Sequence, residues 1–282
     1  MSTLATGFKP ETSQTATVGL FLLGIALAAS WVGINLAFPG FAPTGIPSIV
    51  TRLGIHLAVL AGLWLGLSRT EFSASKRILV WLSVAVPFTL WLAMVWSLAA
   101  NGVFQPIPGV TGLPKLPIAI FAPVIIGLLV LLRSKSIAAV LDATPASWLI
   151  ALQVYRIFGG IFLVNWANGT VAGAFAWPAG VGDMLTGVMA LPAAYLLATG
   201  AERGRSAAMA WNIFGLCDFA VAITMGTLSA PGPLQIFGLD IPASLAGTYP
   251  IVLIPAFAVP SSILLHALSI WQLRRIGRRR DR

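Results

Sequence analysis

The sequence predicts an all-α, polytopic bundle of about eight transmembrane helices, a single integral membrane domain with both termini in the cytoplasm. Three observations carry this. Of the 282 residues, 58% are hydrophobic and 9% charged, whereas a soluble domain clothes its surface with roughly a quarter charged residues. The apolar residues fall in blocks of about 20, the length that crosses a hydrocarbon core of roughly 30 Å. The basic residues fall in alternate connections between those blocks, the asymmetry that orients membrane helices.

The first helix is expected over 17–38, after a polar N-terminal tail (1–16) that holds Lys9 and Glu11. A cleaved signal peptide has a shorter apolar core and a small-residue cleavage site, so this span is read as retained. Its Ala29 and Gly33 offer a neighbour a small-residue face. The second helix (48–67) repeats the device with Gly54, Ala58, Gly62 and Gly66, where close backbone approach lets dispersion drive association. It also carries Arg52 and His56 on one face, and His56 reads as structural. The third and fourth helices follow at 77–100 and 116–132.

The fifth helix (145–167) holds Gln153 and Arg156, three residues apart and so on one face. Its Gly159–Gly160 pair reads as packing. The sixth (177–199) opens on a stretch rich in Pro and Gly that would delay the helix and leave Asp183 in its first turn. There the carboxylate either caps free N–H groups or belongs to a substrate site at a broken helix, close enough in depth to Arg156 to join its network. The seventh (206–227) carries Asn212, Asp218 and Cys217, the single cysteine, so neither an intrachain disulfide nor a multi-cysteine metal site is possible. The eighth (249–273) is interrupted by Pro250, Pro255 and Pro260, each removing a donor and kinking the helix. Ser262 and His266 share a face four residues apart, and the histidine is either a neutral imidazole bonded to a neighbour or a proton-carrying site.

Orientation follows from the loops. One side holds Arg69, Lys76 and Arg77, then Arg133 and Lys135, then Arg203 and Arg205, and finally the tail (274–282). The other holds Lys115, with Arg52 just inside the second helix. Seven or nine spans would place basic loops on both sides. The formal net charge of +9 would suggest nucleic acid in a soluble protein; here it serves orientation, and the tail is expected to meet anionic lipid headgroups. With arginine favoured over lysine and abundant Ala and Gly, the expected location is the inner membrane of a bacterium. The opposite connections (38–47, 105–109, 230–234) are rich in Pro and Gly. They either cap the bundle compactly or fold over an outward vestibule, since irregular backbone must be shielded from lipid.

An ionisable side chain near the bilayer midplane costs several kcal/mol and demands a partner. The candidate intramembrane site is therefore Gln153, Arg156, Asp183, Asn212, Asp218, Ser262 and His266. Arg156 and Asp218 lie about 11 and about 12 residues from the basic ends of their helices, hence at matching depth. A bidentate guanidinium–carboxylate pair is expected, with Gln153 able to join it. Such a pair serves equally to hold helices together or to form a substrate or proton site. The two histidines differ in depth by roughly 13 Å at helical rise, awkward for a shared haem, and no metal or other cofactor is expected.

The stretch from Trp148 to Gly159, with 175–183 downstream, resembles a group of uncharacterised bacterial polytopic membrane proteins. The resemblance covers mainly the fifth to eighth helices and implies no activity, so it transfers no functional residues. From the residues alone, the expectation is a small-solute or proton-linked transporter or permease, with a small molecule or protons as partner and no nucleic acid. The alternatives are a non-catalytic assembly or sensory component, and then a lipid-modifying enzyme. Enzymes of that last kind often show paired acidic motifs or a His-rich cluster, and this sequence has neither. Oligomeric state is not legible.

Overall fold

The computed structural model describes residues 10–38, 46–105 and 115–280. Expectations for Lys9, for most of the 38–47 and 105–109 connections and for the last two residues of the tail lie outside these. The described chain is helical without a strand: α1 (Pro10–Ala37), α2 (Ile46–Ser68), α3 (Ala74–Ala100), α4 (Lys115–Leu131), α5 (Lys135–Ala143), α6 (Ser147–Ala151), α7 (Ile161–Ala167), α8 (Gly173–Ala198), α9 (Gly204–Ser229) and α10 (Val259–Arg280). A 3₁₀ segment, Leu152–Gly160, joins α6 to α7, and a π-helical turn, Ile254–Ala258, leads into α10. Seven spans are long and apolar enough to cross a membrane, or up to eight if α4 and α5, bent by 83°, are counted as one.

The helix ends follow local chemistry. Ser73 caps α3, its side chain accepting from the Lys76 N–H at 3.4 Å, and Ser134 caps α5 by accepting from Ile137 at 3.2 Å. α3 stops at Gly102, whose φ of 70° is left-handed and cheap only for glycine. Two backbone bonds close that end, Gly102 N–H to Ala99 O and Val103 N–H to Leu98 O, both 3.0 Å. The outer surface is apolar: Leu22 is 57% exposed, Leu79 68% and Ile126 62%. Water would penalise such a belt, and lipid accepts it.

α8 lies at the centre, packed on α9, the 3₁₀ segment and α1. The small-residue contacts differ from expectation. On α1 the close approach is made by Gly24, where a Cβ would come within 2.9 Å of Val188 O, and by the buried Ala28. Gly33 meets nothing within 4 Å. On α2, Gly54 and Gly62 are likewise open, and only Gly66 packs, against Val140 and Thr144. The four-residue period is legible in the sequence, but which face is covered depends on where α8 and α5 lie.

α5 was expected as loop. It is a short amphipathic helix that buries Ile137, Val140 and Leu141 and turns across the end of the bundle. Its nine residues are too few and too polar to stand out in a scan for spans. Side-chain contacts tie this basic end together. Gln272 donates to Leu141 O at 2.5 Å and Thr144 O at 2.8 Å, Arg275 pairs with Asp142, and the Arg69 guanidinium lies 4.6 Å from the centre of the Trp148 ring.

Candidate functional site

The fifth span, expected as a continuous α-helix, tightens for nine residues into a 3₁₀ helix. Three residues per turn eclipse positions i and i+3, so Gln153, Arg156 and Gly159 stack on one face. All three are buried. The narrow segment presses on α8 at Gly187, where a Cβ would sit 2.5 Å from the Ile157 backbone nitrogen. Glycine there is what admits the segment, and the segment is what aims Arg156 at the centre.

Arg156, 3% exposed, collects the polar groups of three other helices. Its Nε donates to Asp183 Oδ1 at 2.7 Å and its Nη2 to Asp218 Oδ2. Nη1 donates to His266 Nε2 at 3.0 Å and to Gly215 O at 3.4 Å. The guanidinium carbon lies 3.8 Å from the centre of the Phe219 ring. The bidentate Arg156–Asp218 pair of the sequence reading is thus corrected to a fork: one guanidinium divided between two carboxylates. Four of its donors are engaged, out of the five such a group carries.

The network continues toward the basic end. Asn212 donates through Nδ2 to Ala208 O at 2.8 Å and Ser269 Oγ at 3.0 Å, so its Oδ1 is the acceptor facing His266 Nδ1 at 3.0 Å. His266 therefore carries its proton on Nδ1 and accepts from Arg156 on Nε2. Ser262 Oγ donates to Ala258 O at 2.8 Å, which leaves Tyr155 as donor in their 2.6 Å contact.

Two expectations fail here. Asp183 is not a first-turn cap, because α8 begins at Gly173 and runs through Pro178 without a break. Gly180 and Gly182 serve close approach instead, facing Leu163 and Asp218. Gln153 does not join the cluster: it is fully buried, with neither amide atom hydrogen-bonded among the described residues. Of the seven candidates, Arg156, Asp183, Asp218, His266 and Asn212 form one network and Ser262 borders it. Tyr155, Gly215, Phe219 and Ser269 were missed. Ser269, three residues past His266, had a spacing that could have found it; Gly215 and Phe219 act through a carbonyl and a ring face, which have no sequence signature.

Two cavities meet at Asp183. A larger one of about 230 Å³ runs in from the Pro/Gly end, past Gln105, Lys115 and the 230–234 loop, to Asp183 and Phe219. Of the two readings of the outer loops, the described 230–234 loop lines a cavity. A smaller one of about 30 Å³, room for a water or two, lies among Arg52, Tyr155, Arg156, Asp183 and Ser262. His56, by contrast, bonds Thr89 at 3.1 Å and stacks on Phe88, away from Arg156. No cluster of three or more His, Cys, Asp or Glu suited to a metal occurs among the described residues.

The fold and this site define a helical protein of membrane-spanning type, with an ion cluster buried beneath a cavity that opens at one end. The chain belongs to the family described as a domain of unknown function, DUF8737, whose model matches residues 113–274. That match takes in Arg156, Asp183, Asp218 and His266 but not α1–α3. No curated protein and no solved structure matches the chain.

Proposed function

We propose that the protein is a small-solute permease of the bacterial inner membrane, with both termini in the cytoplasm, open here at the Pro/Gly end and closed at the basic end. The observation that carries this reading is the cavity of about 230 Å³ ending on Asp183 of the buried cluster. A carrier must expose one site to each side in turn, and that needs packing with two discrete arrangements. A guanidinium shared by two carboxylates supports such a switch, since either carboxylate can be released while the other keeps its own bond to Arg156. The 3₁₀ segment and the π turn border the cavities through Phe158, Gly159, Ile254 and Ala258, and irregular helix of this kind often marks a hinge or a functional site. A proton exchanged at either aspartate would serve the same switch, which is how proton linkage enters.

The second reading is a non-transporting component whose cluster only fixes helix packing. The near-complete saturation of Arg156 favours it.

Cysteine accessibility separates the two. In a Cys217→Ala background, single cysteines at Ala222, in the cavity wall, and at Ser269, below the cluster, are exposed to a membrane-impermeant maleimide in oriented vesicles. Position 222 should react from the Pro/Gly side and position 269 from neither. Combining Asp183→Asn with Asp218→Asn should raise labelling at 269 from the basic side and lower it at 222. Unchanged labelling at both positions in a folded variant would overturn the permease reading.

A further inference from the structure

From the lining of the larger cavity we infer its ligand class: a small organic ammonium ion with an apolar, preferably aromatic, body. This names the substrate class of the permease site proposed above and rests on that reading. The wall is built from Phe162, Phe175, Ile120 and Ile254, with Phe219, one face of which already carries the Arg156 guanidinium, and among the described residues the charged groups lining it are Asp183 and Lys115. Phe162 and Phe175 meet edge to face with centroids 5.0 Å apart. Aromatic faces attract a desolvated cation through their quadrupole, and a carboxylate at the end of an aromatic pocket completes the recognition.

The placement of the two charges decides the sign. Lys115 is exposed at the first residue of α4, at the mouth, where water screens it. Asp183 is deep, with 12% of its side chain still accessible. Its Oδ1 accepts from Arg156, while Oδ2, on the side of Gly159, accepts no hydrogen bond among the described residues. Arg156, behind Asp183, also serves Asp218, so a single guanidinium charge is divided between two carboxylates. Arg52 borders the smaller cavity and not the larger. An ammonium group entering from the Pro/Gly end therefore meets an acceptor with capacity to spare, and its body lies among phenylalanines. At about 230 Å³ the space falls below the range of roughly 300–1,000 Å³ typical of drug-sized ligands, which sets a small ligand.

The test is equilibrium binding to the detergent-purified full chain by calorimetry, with three probes of one shape: phenethylammonium, 2-phenylethanol and phenylacetate. Phenethylammonium should bind about tenfold or more tighter than the alcohol, in line with a desolvated cation–π contact plus a carboxylate, and phenylacetate weakest. Phe175→Leu should weaken the ammonium probe several-fold with little effect on the alcohol. Ala246→Phe, which fills the cavity without touching the ion cluster, should abolish binding of all three. Asp183→Asn should remove the preference for the cation; if that variant does not fold, the two cavity variants decide. Equal affinity for the three probes, or tightest binding of phenylacetate with its loss in Lys115→Gln, would overturn the inference. Neither result touches the cysteine-labelling test, so the permease reading stands or falls separately. Cation-selective binding without alternating labelling would keep the ligand class and remove transport.

Discussion

The Arg156 guanidinium donates to the neutral ring of His266, Nη1 to Nε2, at 3.0 Å. A cation bonded to an imidazole fixes the tautomer of that ring, because the accepting nitrogen carries no proton. The other nitrogen then donates to Asn212, which is oriented in turn by Ser269 and Ala208. One charge thus orders side chains on α9 and α10 below it, while the carboxylates of α8 and α9 hold it from the other side.

His266→Phe should therefore cost more than the loss of one hydrogen bond. It strands a guanidinium N–H and the Asn212 oxygen in the buried interior, where each unsatisfied group costs about 1–3 kcal/mol. Thermal unfolding in detergent should show a lowered midpoint. His266→Gln, which keeps a donor and an acceptor, should recover part of it.

Arg156→Gln should be the most destabilising single change in the cluster. Removing one partner of a buried pair costs about 3–5 kcal/mol, and here two carboxylates lose the same partner. Asp183→Asn and Asp218→Asn each leave Arg156 with the other carboxylate, so their midpoints should lie between wild type and Arg156→Gln. An equal loss from all three would mean that the carboxylates do not share the guanidinium.

Glycine substitutions should sort by what a Cβ would meet. Gly182→Ala collides with Asp218 and Gly159→Ala with Asp183, whereas Gly33→Ala and Gly54→Ala meet nothing within 4 Å. Overpacking of this kind costs about 1–3 kcal/mol. The first two should lower the unfolding midpoint, and the last two should leave it unchanged or slightly raised.

Gln153→Met should stabilise. The wild-type amide is fully buried with neither polar atom bonded, and a near-isosteric apolar chain removes a desolvation cost of about 1–3 kcal/mol. A lowered midpoint would show that Gln153 has a polar partner in the working protein.

The Asp142–Arg275 pair gives the contrasting case. Its side chains retain 19% and 31% of their accessible surface, so water screens the attraction and the expected contribution is about 1 kcal/mol or less. Arg275→Gln should shift the midpoint slightly, and the shift should vanish in high salt.

The sequence by itself determined the class of structure and most of the site's members. Apolar blocks of membrane length, separated by alternately basic loops, leave a bundle of spanning helices as the arrangement that satisfies the backbone. Counting residues from the basic ends was enough to put Arg156 and Asp218 at one depth. Tertiary structure decided how those residues meet. Gly187 admits a 3₁₀ segment that no periodicity announced, α8 starts early and sets Asp183 inside a continuous helix, and α5 turns sharply from α4 to pack on the bundle. Each outcome depends on which faces of separate helices come together. Charge and length are properties of one segment and can be read from it, whereas close approach is a property of two.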